Sequence, residues 1–341
     1  MRKITKKLTL LFILALLLYS QSSHLNPVFA QELTLSISPP IVEALIKPGK
    51  SIVIAYTISN FGDPVLLKAD VMPFSAKGNL GEVNIDEEFS GPIRFNLENS
   101  NIQLKKPFAL SQQEGQQLVL KIRVPEGTPE GDYYYTFFVE TDPDNTSDGI
   151  PIAQATAQIG SHILISVSRT GAVERQGSIG NFDISPHYQI KLFGKKYYIF
   201  ESTDIVPVRL LINNVGGNLI KPEGTIKLAG GFNEKREYHL LPENILSQSS
   251  RLIHATPSAN ITRQSRDSLV LKGFFIGKYI LDTSVSFGLG TENRSARISF
   301  YAFPFKFILA LMTAGIIAIV IIKKLRKDET SQETPQLNDD L

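Results

Sequence analysis

Cysteine is absent from the 341 residues. Its absence excludes disulfides, thiolate nucleophiles and cysteine metal sites, so core burial alone must hold the folded chain. Tryptophan is also absent, which leaves no indole to serve as a binding anchor. Histidine is scarce: beyond the leader only His162, His187, His239 and His254 occur, none at metal-ligand spacing from another histidine or on a Glu-rich helix. There is no nucleophile elbow, P-loop, dinucleotide fingerprint or His-Glu-x-x-His. The chain therefore reads as a non-enzyme that needs no cofactor and no metal. Because a triad can be gathered from distant residues, a hydrolase with an unrecognised site is kept as a third reading. A strong charge of one sign is missing too. Taking the leader cations Arg2, Lys3, Lys6 and Lys7 from 35 basic residues leaves 31 against 33 acidic ones. So balanced a chain is not expected to bind nucleic acid by neutralising phosphates.

Long apolar runs, by contrast, are present, one at each end. Near the C-terminus, residues 307–322 carry no charge, and Lys323, Lys324, Arg326 and Lys327 come directly after. At about 1.5 Å per residue this run gives a helix of roughly 24 Å. The flanks lengthen it, because Lys306 can extend its stem toward headgroups and Phe303 and Phe305 suit the outer interface. A transmembrane helix is thus predicted over 304–322, anchored by Phe305, Lys306 and the basic cluster. The cations set its direction, with the residues before it outside and the 323–341 tail in the cytoplasm, as in a type I single-pass protein of the plasma membrane. At the other end, the same four cations precede the apolar run 8–19, and Val28-Phe29-Ala30 offers a small-residue cleavage signal. Residues 1–30 read as a secretory signal peptide, with an uncleaved anchor as the alternative. Either one exports the chain from residue 31 onward.

Between these runs the period is two. Ile52, Ile54, Tyr56 and Ile58 share one face of 51–60, and Val65, Leu67, Ala69 and Val71 share one face of 64–73. Leu118, Leu120, Ile122 and Val124 alternate in the same way, the turn 125–131 leads into a further strand at 132–141, and alternation returns over 150–167. Pro39-Pro40, Pro48-Gly49 and Gly62-Asp63 punctuate the run. Many short strands with such breaks predict an immunoglobulin-like antiparallel β-sandwich over 31–168, with 77–106 as an excursion along one edge. Residues 169–180 lose the alternation and read as a linker. A second sandwich is predicted over 181–303, where Val206, Val208, Leu210 and Ile212 share a face. The fold class is therefore all-β, two immunoglobulin-like sandwiches in tandem plus one C-terminal transmembrane helix.

A diverged repeat links the halves. Asn60 and Gly62 have counterparts in Asn214 and Gly216, and Gly131-x-Tyr133 has one in Gly277-x-Tyr279. An Asn ahead of a flexible Gly closes a strand by bonding the backbone of its own turn. A Tyr just past Gly-x resembles a tyrosine corner, whose hydroxyl bonds nearby backbone. Asn60, Gly62, Tyr133, Asn214, Gly216 and Tyr279 read as structural. Two segments carry chemistry that a fold alone does not require. The loop 141–149 gathers Asp142, Asp144, Asn145 and Asp148, hard ligands that fall short of the twelve-residue calcium pattern, so it reads as a hairpin tip. The strand 133–139 is bulky on both faces, so Tyr134 and Phe138 need cover on the side expected to face water. Cover is expected from the 77–106 excursion or from the second sandwich. Otherwise the two aromatics form a partner surface.

The opening 35–40, then Lys47-Pro48-Gly49-Lys50, then Ile58-Ser59-Asn60 with Gly62-Asp63-Pro64-Val65, resembles the first domain of the WxL-interacting proteins of Gram-positive cell surfaces. The layout of leader, two β-domains, one membrane helix and a basic tail is similar as well. The resemblance implies a surface protein whose first domain contacts peptidoglycan and whose second binds a partner surface protein. The sequence reading is thus a non-catalytic bacterial protein that binds cell-wall polymer or another surface protein. The alternative is a membrane-tethered spacer with no specific ligand.

Overall fold

The computed structural model describes residues 33–142, 157–185, 189–257, 265–288 and 292–332. The proposed signal peptide and most of the 141–149 loop lie outside them. In the first half β1 (Leu35–Ser38), β2 (Ile41–Ile46), β3 (Ser51–Asn60), β4 (Val65–Lys77) and β5 (Glu82–Ile85) are followed by β6 (Arg94–Leu97) and β7 (Pro107–Leu110). Then come β8 (Gly115–Arg123), β9 (Gly131–Thr141) and β10 (Gln158–Val167). One sheet has the order β1-β3-β8-β6 and the facing one β2-β10-β9-β4-β5, with β7 on β4. Alternation dictates the layering. Leu118, Leu120 and Ile122 of β8 are fully buried against Tyr56, whose ring meets Phe137 of β9 at 4.7 Å between centroids. Truncating such a leucine to Ala removes about 2–5 kcal/mol.

In the second half β11 (Gly177–Ile184), β12 (Gln189–Leu192), β13 (Lys195–Glu201), β14 (Val206–Asn214) and β15 (Glu223–Ala229) precede β16 (Lys235–Leu240) and β17 (Ser250–Leu252). The last strands are β18 (Ala255–Thr256), β19 (Leu269–Leu271), β20 (Gly277–Ser286) and β21 (Arg294–Phe303). The small sheet is β11-β14-β17 with β19 on β14, and the large one is β12-β13-β21-β20-β15-β16-β18. Each half has its own apolar core. Together they make immunoglobulin-like sandwiches, as the alternation predicts.

Three boundaries differ from the sequence reading. β11 opens at Gly177, inside the stretch read as linker, because glycine there makes room for Phe287, whose ring would lie 2.4 Å from an added Cβ. The alternation that marks a strand is hidden by such small residues. β4 runs on to Lys77, past Pro73, and forms a hairpin with β5, whereas β6 crosses to the edge of the opposite sheet. The edge excursion is thus two strands, one on each sheet. Finally, the C-terminal helix α1 (Phe305–Gln332) continues beyond Ile322, where the sequence reading began a polar tail. Neither Gly nor Pro interrupts 323–332, and Lys, Arg, Glu and Gln favour helix. Within α1, Phe305–Arg326 contains an 18-residue window of mean hydropathy 2.6, and none of that window is buried. It is long and apolar enough to cross a membrane, at about 33 Å.

Candidate binding cleft between the sandwiches

The two asparagines of the repeat sit in the same chemical setting. Asn60, fully buried, donates through Nδ2 to the carbonyls of Asp63, Leu110 and Ser111, while its Oδ1 accepts from Gly62 N–H at 3.0 Å. Asn214 donates to Asn218, Ile245 and Leu246 and accepts from Gly216 N–H at 3.0 Å. Each therefore ties a strand end to a neighbouring loop. The tyrosines differ from one another. Tyr133 donates to the Pro129 carbonyl at 3.0 Å, whereas Tyr279 donates to the Glu234 carboxylate at 3.0 Å and accepts from Ile276 N–H.

The Asn214 turn places the loop 241–250 against the first sandwich. Asp132, at the start of β9, accepts from Asn218 Nδ2 at 2.7 Å and from Leu219 N–H, and also from Tyr134 Oη at 2.9 Å. Tyr134 Oη in turn accepts from Ser247 N–H at 2.8 Å. Burial, and then the Asp132 charge, pushes the Tyr134 phenol well above its ordinary value, so it stays neutral. On β2, two strands away in the same sheet, Glu43 accepts from Lys221 at 3.0 Å and from Asn244 at 2.6 Å. Burial opposes its charge, yet the bonds from Asn244 and Lys221 hold its carboxyl below the usual range. The β4–β5 hairpin completes the junction, with Leu252 N–H donating to the Asn79 carbonyl at 2.8 Å.

Tyr134 is thus covered from two sides, by the second sandwich and by Phe74, whose ring lies 5.8 Å from its own. Phe138 is 6% exposed on the same face of β9. Neither aromatic stands free in solvent, and the junction occupies the surface offered by Tyr134.

These contacts leave a cavity of about 100 Å³. Ile41, Phe74, His162 and Leu164 line it from the first sandwich, and Asn244, Ile245, Leu246 and Arg251 from the second. Gly81 forms part of the wall at φ +82°, where an added Cβ would lie 2.4 Å from the Arg251 guanidinium carbon. Two buried polar atoms in the lining, Asn244 Oδ1 and Arg251 Nε, have no hydrogen-bond partner. A buried acceptor and a buried donor left open cost roughly 1–3 kcal/mol each.

The serines in the cleft are not arranged as nucleophiles. Ser249 Oγ donates to the Leu246 carbonyl and Ser250 Oγ to Asn213. His162 Nδ1 is engaged by Thr136 Oγ1 at 2.9 Å, and burial lowers its pKa so that it is neutral at pH 7.

Behind the cleft lies a buried ionic group that sequence reasoning missed. Glu243 accepts from the His254 ring at 3.1 Å and from His254 N–H, and Arg251 reaches it at 3.4 Å. His254 Nε2 meets the Ser265 carbonyl at 3.2 Å. The Glu243 bond raises the His254 pKa against the opposing effect of burial. Burial works against the Glu243 charge as well, but bonds from His254 and the charge of Arg251 lower its pKa. The pair is 11 residues apart across two irregular segments, so no motif could reveal it. Among the described residues no group of three or more His, Cys, Asp or Glu could hold a metal.

At the far end of the second sandwich, the anchor residues Phe305 and Lys306 form the first turn of α1, and Lys306 N–H donates to Glu201 Oε2 at 2.9 Å. Lys323, Lys324 and Arg326 are exposed along α1, which also contains Lys327.

Fold and junction together define a tandem of immunoglobulin-like sandwiches carried on one apolar helix. No family model and no curated protein sequence matches the chain. Among solved structures it is similar to the class 5 fimbriae chaperone CfaA, at 12% identity over 79% of this chain and 100% of that one, with a TM-score of 0.33. It is also similar to the E. coli chaperone DraB, at 16% identity over 77% and 98% of the two chains, TM-score 0.32. A Porphyromonas gingivalis protein of unknown function matches at 12% identity over 78% and 99%, TM-score 0.27. A likeness this weak says nothing about what this chain binds.

Proposed function

We propose that this chain is a non-catalytic binding protein of a bacterial cell surface, tethered by α1, with its sandwiches outside contacting cell-wall polymer or a partner surface protein. The observation that carries the reading is the helix. Its span Phe305–Arg326 holds an unburied 18-residue window of mean hydropathy 2.6, and the basic cluster closes it. An apolar surface of that length has no soluble explanation in a chain whose two cores are complete without it. The cations orient it with the sandwiches outside. Among the described residues the cleft serines bond neighbouring groups and none is held as a nucleophile, which supports binding over turnover. The resemblance to WxL-interacting proteins supports peptidoglycan as the first ligand to test.

The test uses the full-length protein in lipid nanodiscs, sedimented with purified bacterial sacculi or passed over immobilised surface-protein extract. Saturable retention in either arm, competed by unlabelled protein, is expected. Retention in neither arm refutes the binding reading and leaves the spacer.

A further inference from the structure

The strand directions bring three chain segments to one end of the second sandwich. β21 ends at Phe303 beside Glu201 of β13, β20 starts at Gly277 opposite Ala302, and β14 starts at Val206 opposite Leu271 of β19. The 202–205 turn, the 272–276 loop and the entry to α1 therefore lie together. Hydrogen bonds join them: Phe275 N–H donates to Ser202 O at 2.8 Å, Ser202 N–H to Phe303 O at 3.2 Å, and Lys306 N–H to Glu201 Oε2 at 2.9 Å. Lys306 Nζ also reaches Asp204 at 3.4 Å. Glu201 is only 3% exposed and satisfies one of the amides that every helix N-terminus leaves open. No flexible linker separates sandwich from helix, because one residue, Pro304, stands between β21 and α1.

This end is apolar where a protein end facing water would be polar. Ile205 is 53% exposed, Phe274 59%, Ile276 38% and Phe303 46%. Phe275, between two of them, is fully buried against Tyr279 and Phe300. The core is therefore complete without its neighbours, which point outward. Scattered exposed apolar residues need no explanation, but a cluster around a helix that enters lipid does. Lys272 and Lys278, both exposed, flank the same loop and suit phosphate headgroups.

We propose that this end of the second sandwich is a membrane-docking surface, in which Ile205, Phe274, Ile276 and Phe303 enter the interfacial layer of the phospholipid leaflet that α1 enters. The inference rests on the reading of α1 as a membrane span. It makes the protein a fixed post: the Glu201 cap sets the helix direction, and the loops seat the sandwich on the bilayer. The cleft is then held at a set height, at the opposite end of strands such as the 9-residue β14, about 30 Å long.

Because the chain lacks cysteine, single substitutions give unique labelling sites. Full-length I205C, F274C, I316C and F193C would each carry an environment-sensitive fluorophore in phosphatidylcholine–phosphatidylglycerol vesicles containing lipid-borne quenchers. Phe193, 94% exposed at the opposite end of β13, is the aqueous reference, and Ile316 in mid-helix is the bilayer reference. Labels at 205 and 274 are expected to be quenched several-fold more than at 193, most strongly by quenchers near the headgroups, with 316 quenched by deep ones. The paired sites keep the result readable if one variant misfolds. If 316 is quenched while 205 and 274 match 193, docking is refuted and the span stands. If 316 is itself unquenched, the span reading falls and docking falls with it.

Discussion

Replacing Asp132 by Ala should loosen the two sandwiches from each other. Of its three hydrogen bonds, the one from Tyr134 stays within the first sandwich, and those from Asn218 Nδ2 and Leu219 N–H cross the junction. Bonds to a charged acceptor contribute about 1.5–3 kcal/mol each, and the substitution strands both donors that cross the junction. The expected loss of coupling is near 3 kcal/mol, which lowers the locked-to-open ratio by roughly 100-fold. Motion between domains is the default when their interface is small and polar, so a loss of this size should be visible. The assay is a spin-label distance distribution between V53C and I190C, exposed sites on different sandwiches. Wild-type protein should give one narrow peak and Asp132→Ala a broad one. Lys221→Ala is the control. Its salt bridge to Glu43 is 41% exposed on both sides, so it contributes at most about 1 kcal/mol and should leave the peak narrow. An Asp132→Ala distribution as narrow as wild type would refute the reasoning.

The remaining predictions concern the elements around this junction. Asn214→Ala removes three donated bonds and strands Gly216 N–H. It should lower stability by about 2–4 kcal/mol in calorimetry, and Asn60→Ala should do the same to the first sandwich. Gly81→Ala meets both a left-handed φ and the Arg251 guanidinium, so it should broaden the same distance distribution even though alanine is otherwise benign. The His254–Glu243 pair has a defined pH window. The raised His254 pKa gives stability that is full below about 6.5 and is lost as pH rises through the folded value. The lowered Glu243 pKa gives stability present above about 4.5 and lost as pH falls through its folded value. Melting temperature should therefore peak between these limits, and His254→Gln should flatten the alkaline side of the profile.

Much of the fold was legible because half-buried strands advertise themselves by alternation. β3, β8 and β14 each carry a clean apolar face. Legibility failed where small or irregular residues carry the structure. Gly177 and Gly180 hide β11, since a glycine that accommodates Phe287 or Asn213 contributes nothing to a hydrophobic period. The repeated Asn-x-Gly was visible as a pattern, but its partners in the 241–250 loop and at 110–111 were not, because hydrogen bonds between distant loops leave no spacing to read. The cover required by Tyr134 was legible from its position on a strand bulky on both faces. That Asp132, two residues earlier, would accept across the junction was not, since an aspartate at a strand start reads equally well as a solvated turn. The Glu201 cap on α1 lies 105 residues from the amide it satisfies, a separation that only the parallel pairing of β13 with β21 brings together.

The most direct test of the account is where each end of α1 resides. V53C and L325C, each in otherwise cysteine-free full-length protein, would be expressed in a bacterium without an outer membrane and treated with a membrane-impermeant maleimide. The account predicts that Val53→Cys is modified on intact cells and Leu325→Cys only after permeabilisation. Modification of position 325 on intact cells, with 53 protected, would contradict it.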